Sequence, residues 1–245
     1  MGWGRGWGLP VIQNTYLCNM RKHFLYLLLF LVPVMNRAGT DKPVPVMEDQ
    51  HSLFASLNLA EKGLTSEVFD IALKGFRKLG SEGKLRNSGI LTIVDFSQSS
   101  KKKRFYVIDL LHKVLLFNTY VAHGKNTGDE YASHFSNKSG SCQSSLGFYI
   151  TCKEALGASV GLSLILDGVE KGFNDNAKKR EIIMHGAAYA TETFIRRTGR
   201  LGRSFGCPSL PPDLIKPIFA AIKEGTCLFI YHHDDLYMSR SALLN

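Results

Sequence analysis

The sequence predicts a mostly β domain, a sandwich or barrel with a few peripheral helices. Three observations carry that prediction. From Gly89 onward, short runs rich in Val, Ile, Leu, Phe and Tyr alternate with turns rich in Gly, Ser and Asn. Only the stretches 65–79 and 213–223 space their apolar residues as a helix does. The composition, 44% hydrophobic and 21% charged, is that of a chain that builds a core and argues against long disorder.

The first element is a targeting segment. Phe24 to Val32 is an unbroken apolar run, preceded by Arg21, Lys22 and His23 and followed by the small residues Ala38 and Gly39. An apolar stretch of about 12 residues is too short to span a bilayer and fits the h-region of a signal peptide. Residues 1–39 are therefore read as the signal, with a mature start between positions 36 and 42. Met20, directly before the basic residues, offers a second start that would leave 1–19 unused. Cys18 precedes the apolar run, so it is not a processed lipoprotein cysteine, and Gly2 lacks the Ser or Thr that myristoylation needs. The expected location is extracytoplasmic or periplasmic, with no stable membrane span once the signal is removed.

Residues 40–64 read as linker and lead-in, and 65–88 as a helical lead-in. Thr65 is placed as N-cap of the helix over 65–79, with Gly80 just past its end. Residues 89–245 form the main β domain in this reading. Strands are expected at 89–96, 104–110 and 113–121, as a meander around the polar turn 97–103. A long loop, 123–147, follows. Short strands are expected at 148–152 and 163–166, and another over 180–184 that ends at His185-Gly186. The Gly- and Pro-rich loop 199–212, a helix over 213–223 and a last strand over 226–231 complete the chain.

Formal net charge is +9, and the four basic residues of 1–39 leave +5 for the remainder. That is a mild excess. Lys101–Arg104 reads as a solvated hairpin tip and not as a nucleic-acid patch, because no recognition helix or aromatic platform accompanies it. No cofactor motif and no metal site is expected. His232-His233-Asp234-Asp235 holds ligand-type residues, but adjacent strand residues point to opposite faces, so the stretch reads as a solvated strand end.

Cys207 is the sharpest candidate for chemistry. It sits among glycines and prolines, where a reactive thiolate has the exposure it needs and Gly206 allows close backbone approach. His185, at a strand end 22 residues upstream, is the obvious proton acceptor. A structural cysteine and an ordinary strand-end histidine fit the spacing as well. Ser204 sits in a G-x-S-x-G pattern with Asp213, Asp234, His232 and His233 downstream, but no strand precedes it as a nucleophile elbow requires. His123-Gly124 also ends a strand and is a candidate for lining the same cleft. Cys142, Cys152 and Cys227 are open to disulfide pairing in an oxidising compartment, although Cys227, inside an apolar run, reads as a buried hydrophobe.

At this point the sequence resembles a known family. The segment from Ile182 to Tyr189, followed by that from Gly199 to Pro211, resembles the active-site signature of the murein L,D-transpeptidase catalytic-domain family. That signature is a His-Gly at a strand end and, further on, a Ser-x-Gly-Cys loop. The blocks 104–110, 120–128, 135–141, 144–151 and 166–180 resemble the subgroup whose cysteine is followed by Pro. The resemblance implies that Cys207 attacks a peptidoglycan tetrapeptide stem at meso-diaminopimelate and forms an acyl-enzyme. It implies His185 as base, the Gly186 carbonyl as its orienting group, and Gly206 and Cys207 as oxyanion amides. Ser204 matches the serine of the loop, which accounts for the elbow pattern. Many members carry Arg two residues after the cysteine, where this chain has Ser209. Arg203 or Arg200 is the expected replacement, and His123, Arg203 and Tyr189 are the expected substrate contacts. The implied partners are stem peptides, as acyl donor and acceptor. The alternatives are an L,D-carboxypeptidase or amidase using water as acceptor, and a non-catalytic wall-binding module.

Overall fold

The computed structural model describes residues 50–157 and 159–245. The signal segment, the expected mature start and residues 40–49 of the linker lie outside the described residues. Among the described residues no helix is long and apolar enough to cross a membrane.

Eight strands form one sheet: β1 (Ile90–Asp95), β2 (Phe105–Asp109), β3 (Val114–Thr119), β4 (Gly147–Gly157), β5 (Gly161–Gly168), β6 (Ile183–Gly186), β7 (Ser209–Leu210) and β8 (Cys227–Tyr231). Their order is β3-β2-β1-β8-β4-β5-β6-β7. The expected meander is present, with β1 antiparallel to β2 and β2 to β3. The C-terminal β8 inserts between β1, to which it runs parallel, and β4, to which it runs antiparallel. At the far edge β7 pairs parallel with β6, placing Ser209 opposite His185. The chain just after β3 then meets β7. Ala122 N donates to Ser209 O at 2.8 Å and Ser209 N donates to Ala122 O at 3.2 Å. That bridge joins the two edges, so the sheet is a nearly closed barrel.

Every residue of β1 and of β8 is buried, the pattern of a strand covered on both faces. Two helices supply part of the outer cover: α2 (Ser66–Ser81) and α4 (Ile215–Ile222) bury Phe69, Leu73, Phe76, Ile218, Phe219 and Ile222 in the same core as the sheet. Each such side chain contributes about 1.5–3 kcal/mol through burial. Thr65 caps α2 as expected, its Oγ1 accepting from Val68 N at 3.3 Å. Pro217 is tolerated near the start of α4, where its missing N–H interrupts little.

Several boundaries differ from the sequence reading. Helix α2 runs through Gly80 to Ser81, and the Glu82 N–H closes it on Lys78 O. The short strands expected at 148–152 and 163–166 are the arms of the long β4–β5 hairpin, bulged between Thr151 and Glu154. Strand β6 begins at Ile183 and not at Arg180. Arg180 stays in the preceding turn, its N–H bonded to Asn176 O and its side chain reaching across to the loop 136–145. Three short helices carried no periodic signal: α1 (Gln50–Ser56), α3 (Glu192–Thr198) and α5 (Asp235–Arg240). Helix α5 starts inside the His-His-Asp-Asp stretch, where Asp234 is its N-cap and accepts from Tyr237 N at 2.7 Å.

Candidate functional site

Strand β6 carries His185 to the seam of the barrel. Its Nδ1 lies 3.1 Å from the Gly186 carbonyl. A carbonyl only accepts, so the proton sits on Nδ1 and Nε2 carries the ring's accepting lone pair. That lone pair faces the Ser209 hydroxyl at 3.0 Å. The Ser209 hydroxyl in turn lies 3.0 Å from the Tyr189 hydroxyl. His185 is buried, and that burial pulls its pKa below the ordinary imidazole range, with the Gly186 carbonyl only partly opposing. The ring is therefore neutral at neutral pH.

Cys207 lies two residues before Ser209, on the stretch that leads into β7. It is half-buried, and its thiol donates to the Glu181 carbonyl at 3.7 Å. Burial pushes the thiol pKa up, while the Ile183 N–H, the Arg180 charge and its own N–H draw it part of the way back. At rest, then, the thiol is bonded to Glu181 O and the imidazole to Ser209. Both are neutral, and neither is bonded to the other. The chemistry open to such a pair is attack by sulfur with proton transfer to Nε2, and not a standing thiolate–imidazolium pair.

The loop around Cys207 is held from several sides. Gly206 adopts φ +130°, a conformation that side chains rarely take. Its N–H donates to Ser204 Oγ at 3.0 Å, and Ser204 Oγ donates to the Cys207 carbonyl at 2.6 Å. The Gly206 amide, expected as an oxyanion donor, is thus already taken by Ser204. Ser204 itself is buried and spends its hydroxyl bracing the loop. The Gly206 carbonyl accepts from Ser144 Oγ at 3.1 Å, and Ser144 Oγ accepts from Gly124 N at 3.1 Å. Gly124 packs so closely that an added Cβ would stand 2.5 Å from Cys142 O and 3.0 Å from Gly206 Cα.

His123-Gly124 lies beside the loop that carries Cys207, as a backbone partner. Ser204 N donates to His123 O at 2.9 Å. The imidazole of His123 turns inward and is 1% exposed, so the expected contact between this ring and a substrate gives way to an internal role. Nδ1 accepts from Arg104 Nη2 at 2.8 Å, which leaves Nε2 to donate to Gly128 O at 3.3 Å. Burial and the Arg104 charge push its pKa down to about 3. Arg104 is itself fully buried and pushed down to about 9 by the loss of solvent. It is held by the carbonyls of Gln98 and Val121 and by the face of Phe96, 4.8 Å away.

Arg203 and Arg200 both turn to Asp129, at 2.7 and 3.3 Å, and Arg203 also reaches the Gly128 carbonyl. They tie the 123–130 segment to the loop that carries Cys207. The cation whose charge acts on Cys207 is Arg180, which the sequence reading did not single out. Arg180 Nη2 donates to Gln143 O at 2.6 Å and Nη1 to Ser136 O at 2.7 Å, with further bonds to Ser141 and Ser145. Its only signal in the sequence is a basic residue five positions before His185. The four described cysteines, Cys142, Cys152, Cys207 and Cys227, are all unpaired, and Cys227 is fully buried. His232 packs at a tilt against Phe135, with ring centroids 5.0 Å apart, and His233 lies 3.4 Å from Asp235.

The molecule is thus a mostly β barrel whose seam carries a thiol and an imidazole on adjoining segments. The L,D-transpeptidase catalytic-domain profile matches residues 60–231, well over half of the chain. The chain belongs to the L,D-transpeptidase catalytic-domain family. Solved structures that resemble it include an L,D-transpeptidase from Mycobacterium smegmatis, at 13% identity, 59% coverage of each chain and a TM-score of 0.37. An L,D-transpeptidase from Mycobacterium tuberculosis follows at 15% identity, with 59% of this chain and 58% of that one covered and a TM-score of 0.35. One from Xylanimonas cellulosilytica has 13% identity, with 63% and 68% covered and a TM-score of 0.34. The chain spans about three fifths of the length of the first of these structures. No curated protein sequence matches it.

Proposed function

We propose that this chain is a cysteine-dependent L,D-transpeptidase acting on peptidoglycan stem peptides, with Cys207 as nucleophile and His185 as base. Within the family we place it with members whose cysteine is followed by Pro, at a site outside the cytoplasm reached through the 1–39 signal. The observation that carries the reading is the fixed tautomer of His185. Gly186 O holds the proton on Nδ1, and Nε2 is left with a lone pair on the seam where Cys207 also lies.

In this mechanism the sulfur leaves Glu181 O and attacks the carbonyl of meso-diaminopimelate in a tetrapeptide stem. The thiol proton passes to His185 Nε2. Collapse of the tetrahedral adduct breaks the amide bond, and His185 returns the proton to the departing D-alanine amine. A thioester to Cys207 remains. An amine from a second stem gives its proton to His185 as it attacks the thioester; the C–S bond then breaks and His185 passes that proton to the sulfur, which restores the thiol and the neutral ring. The amides of Cys207 and Ile183, both facing the sulfur, are the donors available to the charge that develops beside it. Arg180 adds a positive charge on the same side.

Incubation of the purified protein with defined tetrapeptide stems, followed by mass analysis, tests the reading. Cross-linked dimers with loss of D-alanine support transpeptidation. Tripeptide without dimer points to water as the acceptor. Equal turnover by Cys207→Ala removes the proposal, and binding to wall fragments with no turnover makes the chain a non-catalytic module.

A further inference from the structure

Ser209 sits on the shortest strand of the barrel and carries no assigned role, yet three features meet at it. Its backbone closes the seam through Ala122, its register partner is His185, and its hydroxyl lies 3.0 Å from His185 Nε2. The same hydroxyl lies 3.0 Å from that of Tyr189. Ser209 is fully buried, so water does not supply its partners. Tyr189 is only half-buried.

We propose that Ser209 and Tyr189 form a reversible hydroxyl relay that partners His185 Nε2 in both of its protonation states and so positions the base during acylation. The inference rests on the reading of His185 as the base of Cys207. With His185 neutral, Tyr189 Oη–H donates to Ser209 Oγ and Ser209 Oγ–H donates to Nε2. During attack the two hydroxyls rotate, Ser209 Oγ–H leaves the Nε2 lone pair, and that lone pair takes the thiol proton. Nε2–H then donates to Ser209 Oγ, Ser209 Oγ–H donates to Tyr189 Oη, and the tyrosine proton turns outward. No covalent bond to either hydroxyl is made or broken. The bond made in the charged state is charge-assisted and the stronger of the two. The relay therefore favours the imidazolium over the neutral ring, at the moment the charge develops in a buried setting. Both residues act through His185 and are positioning residues.

Three variants test this: Ser209→Ala, Tyr189→Phe and their combination. Tyr189→Phe keeps the ring and all backbone contacts, so it remains informative if Ser209→Ala folds poorly. The first readout is the His185 pKa from NMR titration of its ring signals, which needs no substrate. The pKa is expected to fall in Ser209→Ala, to fall by less in Tyr189→Phe, and to equal the Ser209→Ala value in the double variant. The second readout is turnover of a tetrapeptide stem. Here kcat is expected to drop about tenfold in Ser209→Ala, the size of a lost hydrogen bond to a charged group, with KM little changed. The acid limb of kcat/KM moves to lower pH. A His185 pKa that is unchanged in both single variants overturns the relay, as do additive losses in the double variant. Failure of the parent reading looks different. Stems would go unprocessed by the unmodified protein, or would be processed equally by Cys207→Ala, whatever the NMR titration shows.

Discussion

Replacing Gly206 by Ala separates folding from chemistry, and its cost follows from the contacts around that residue. The backbone there has φ +130°, so a side chain is strained whatever the space. Such strain costs about 1–3 kcal/mol. The added Cβ would also stand 2.9 Å from the Gln143 carbonyl and 3.1 Å from Ile182 Cδ1. The Gln143 carbonyl is held by Arg180 at 2.6 Å and cannot yield freely. Overpacking of this kind costs about 1–3 kcal/mol more. The total, about 2–6 kcal/mol, is less than most domains have to lose, out of about 5–15. The variant is expected to fold, with a melting temperature lower by about 5–20 °C. Turnover suffers more. Relief of the clash moves Gly206 and therefore Cys207, and a displacement near 1 Å costs about a hundredfold in rate. Thermal unfolding and stem turnover on the same sample give both numbers. A variant that melts with the parent and keeps its kcat would refute the argument, because neither the positive φ nor the Gln143 contact would then constrain the nucleophile.

Burial holds the His185 pKa down, and the base must be neutral to work. The acid limb of kcat/KM is therefore expected below the ordinary histidine value of about 6.5, and a limb above it would contradict the assignment. Burial also raises the Cys207 pKa, so alkylation by iodoacetamide should still be accelerating beyond pH of about 8.5, without the low-pH plateau of a preformed thiolate. His185→Ala should lower turnover by about two orders of magnitude or more. His123→Ala should instead show its loss in melting temperature, because it strands the buried Arg104. Ser204→Ala should reduce the rate of covalent adduct formation without abolishing it, since Ser204 braces Gly206 and Cys207; an adduct mapped to Ser204 would reverse the choice of nucleophile. Glu170 is buried with Phe148 N, Tyr237 and Ser241 as its partners, and burial raises its pKa. Its contribution to stability is full below the unfolded value of about 4.3 and is lost as pH rises through the folded value. Glu170→Gln should flatten the fall of the urea midpoint as pH rises above about 4.3, and an unchanged slope would exclude Glu170 as its source.

Most strands were legible because each is a short apolar run between turn residues, and α2 because Val68, Ala72, Phe76 and Leu79 recur at helical spacing behind Thr65. Strand β7, the two residues Ser209 and Leu210, lay inside the loop expected over 199–212, because a pair that short leaves no alternation to read. Helix α3 was not, because none of its residues is buried and it leaves no apolar period to read. Helix α5 begins at residues that read as a solvated strand end, and only the bond from Tyr237 N to Asp234 shows the cap. The insertion of β8 between β1 and β4 joins distant parts of the chain, and no local pattern encodes it. At the site, residue type and loop composition drew attention to Cys207 and His185. The partners of those residues were out of reach. That Ser204 occupies the Gly206 amide, that Arg180 and not Arg203 acts on the sulfur, and that His123 turns to Arg104 all depend on side-chain rotamers. The sequence leaves those rotamers open until the tertiary contacts form.

The bridge between Ala122 and Ser209 sets the order in which the molecule can become reactive. Segments far apart along the chain must meet there, and loop closure over such a separation is slow compared with forming the β1–β3 meander. The thiol and the imidazole lie on the β6–β7 side of that closure, and the His123 backbone that braces Ser204 lies on the other. Until it forms, the loop that carries Cys207 lacks that support. Hydrogen exchange during refolding should therefore find the Ala122 and Ser209 amides among the last to gain protection. The appearance of activity should track that step, and not the earlier growth of β structure.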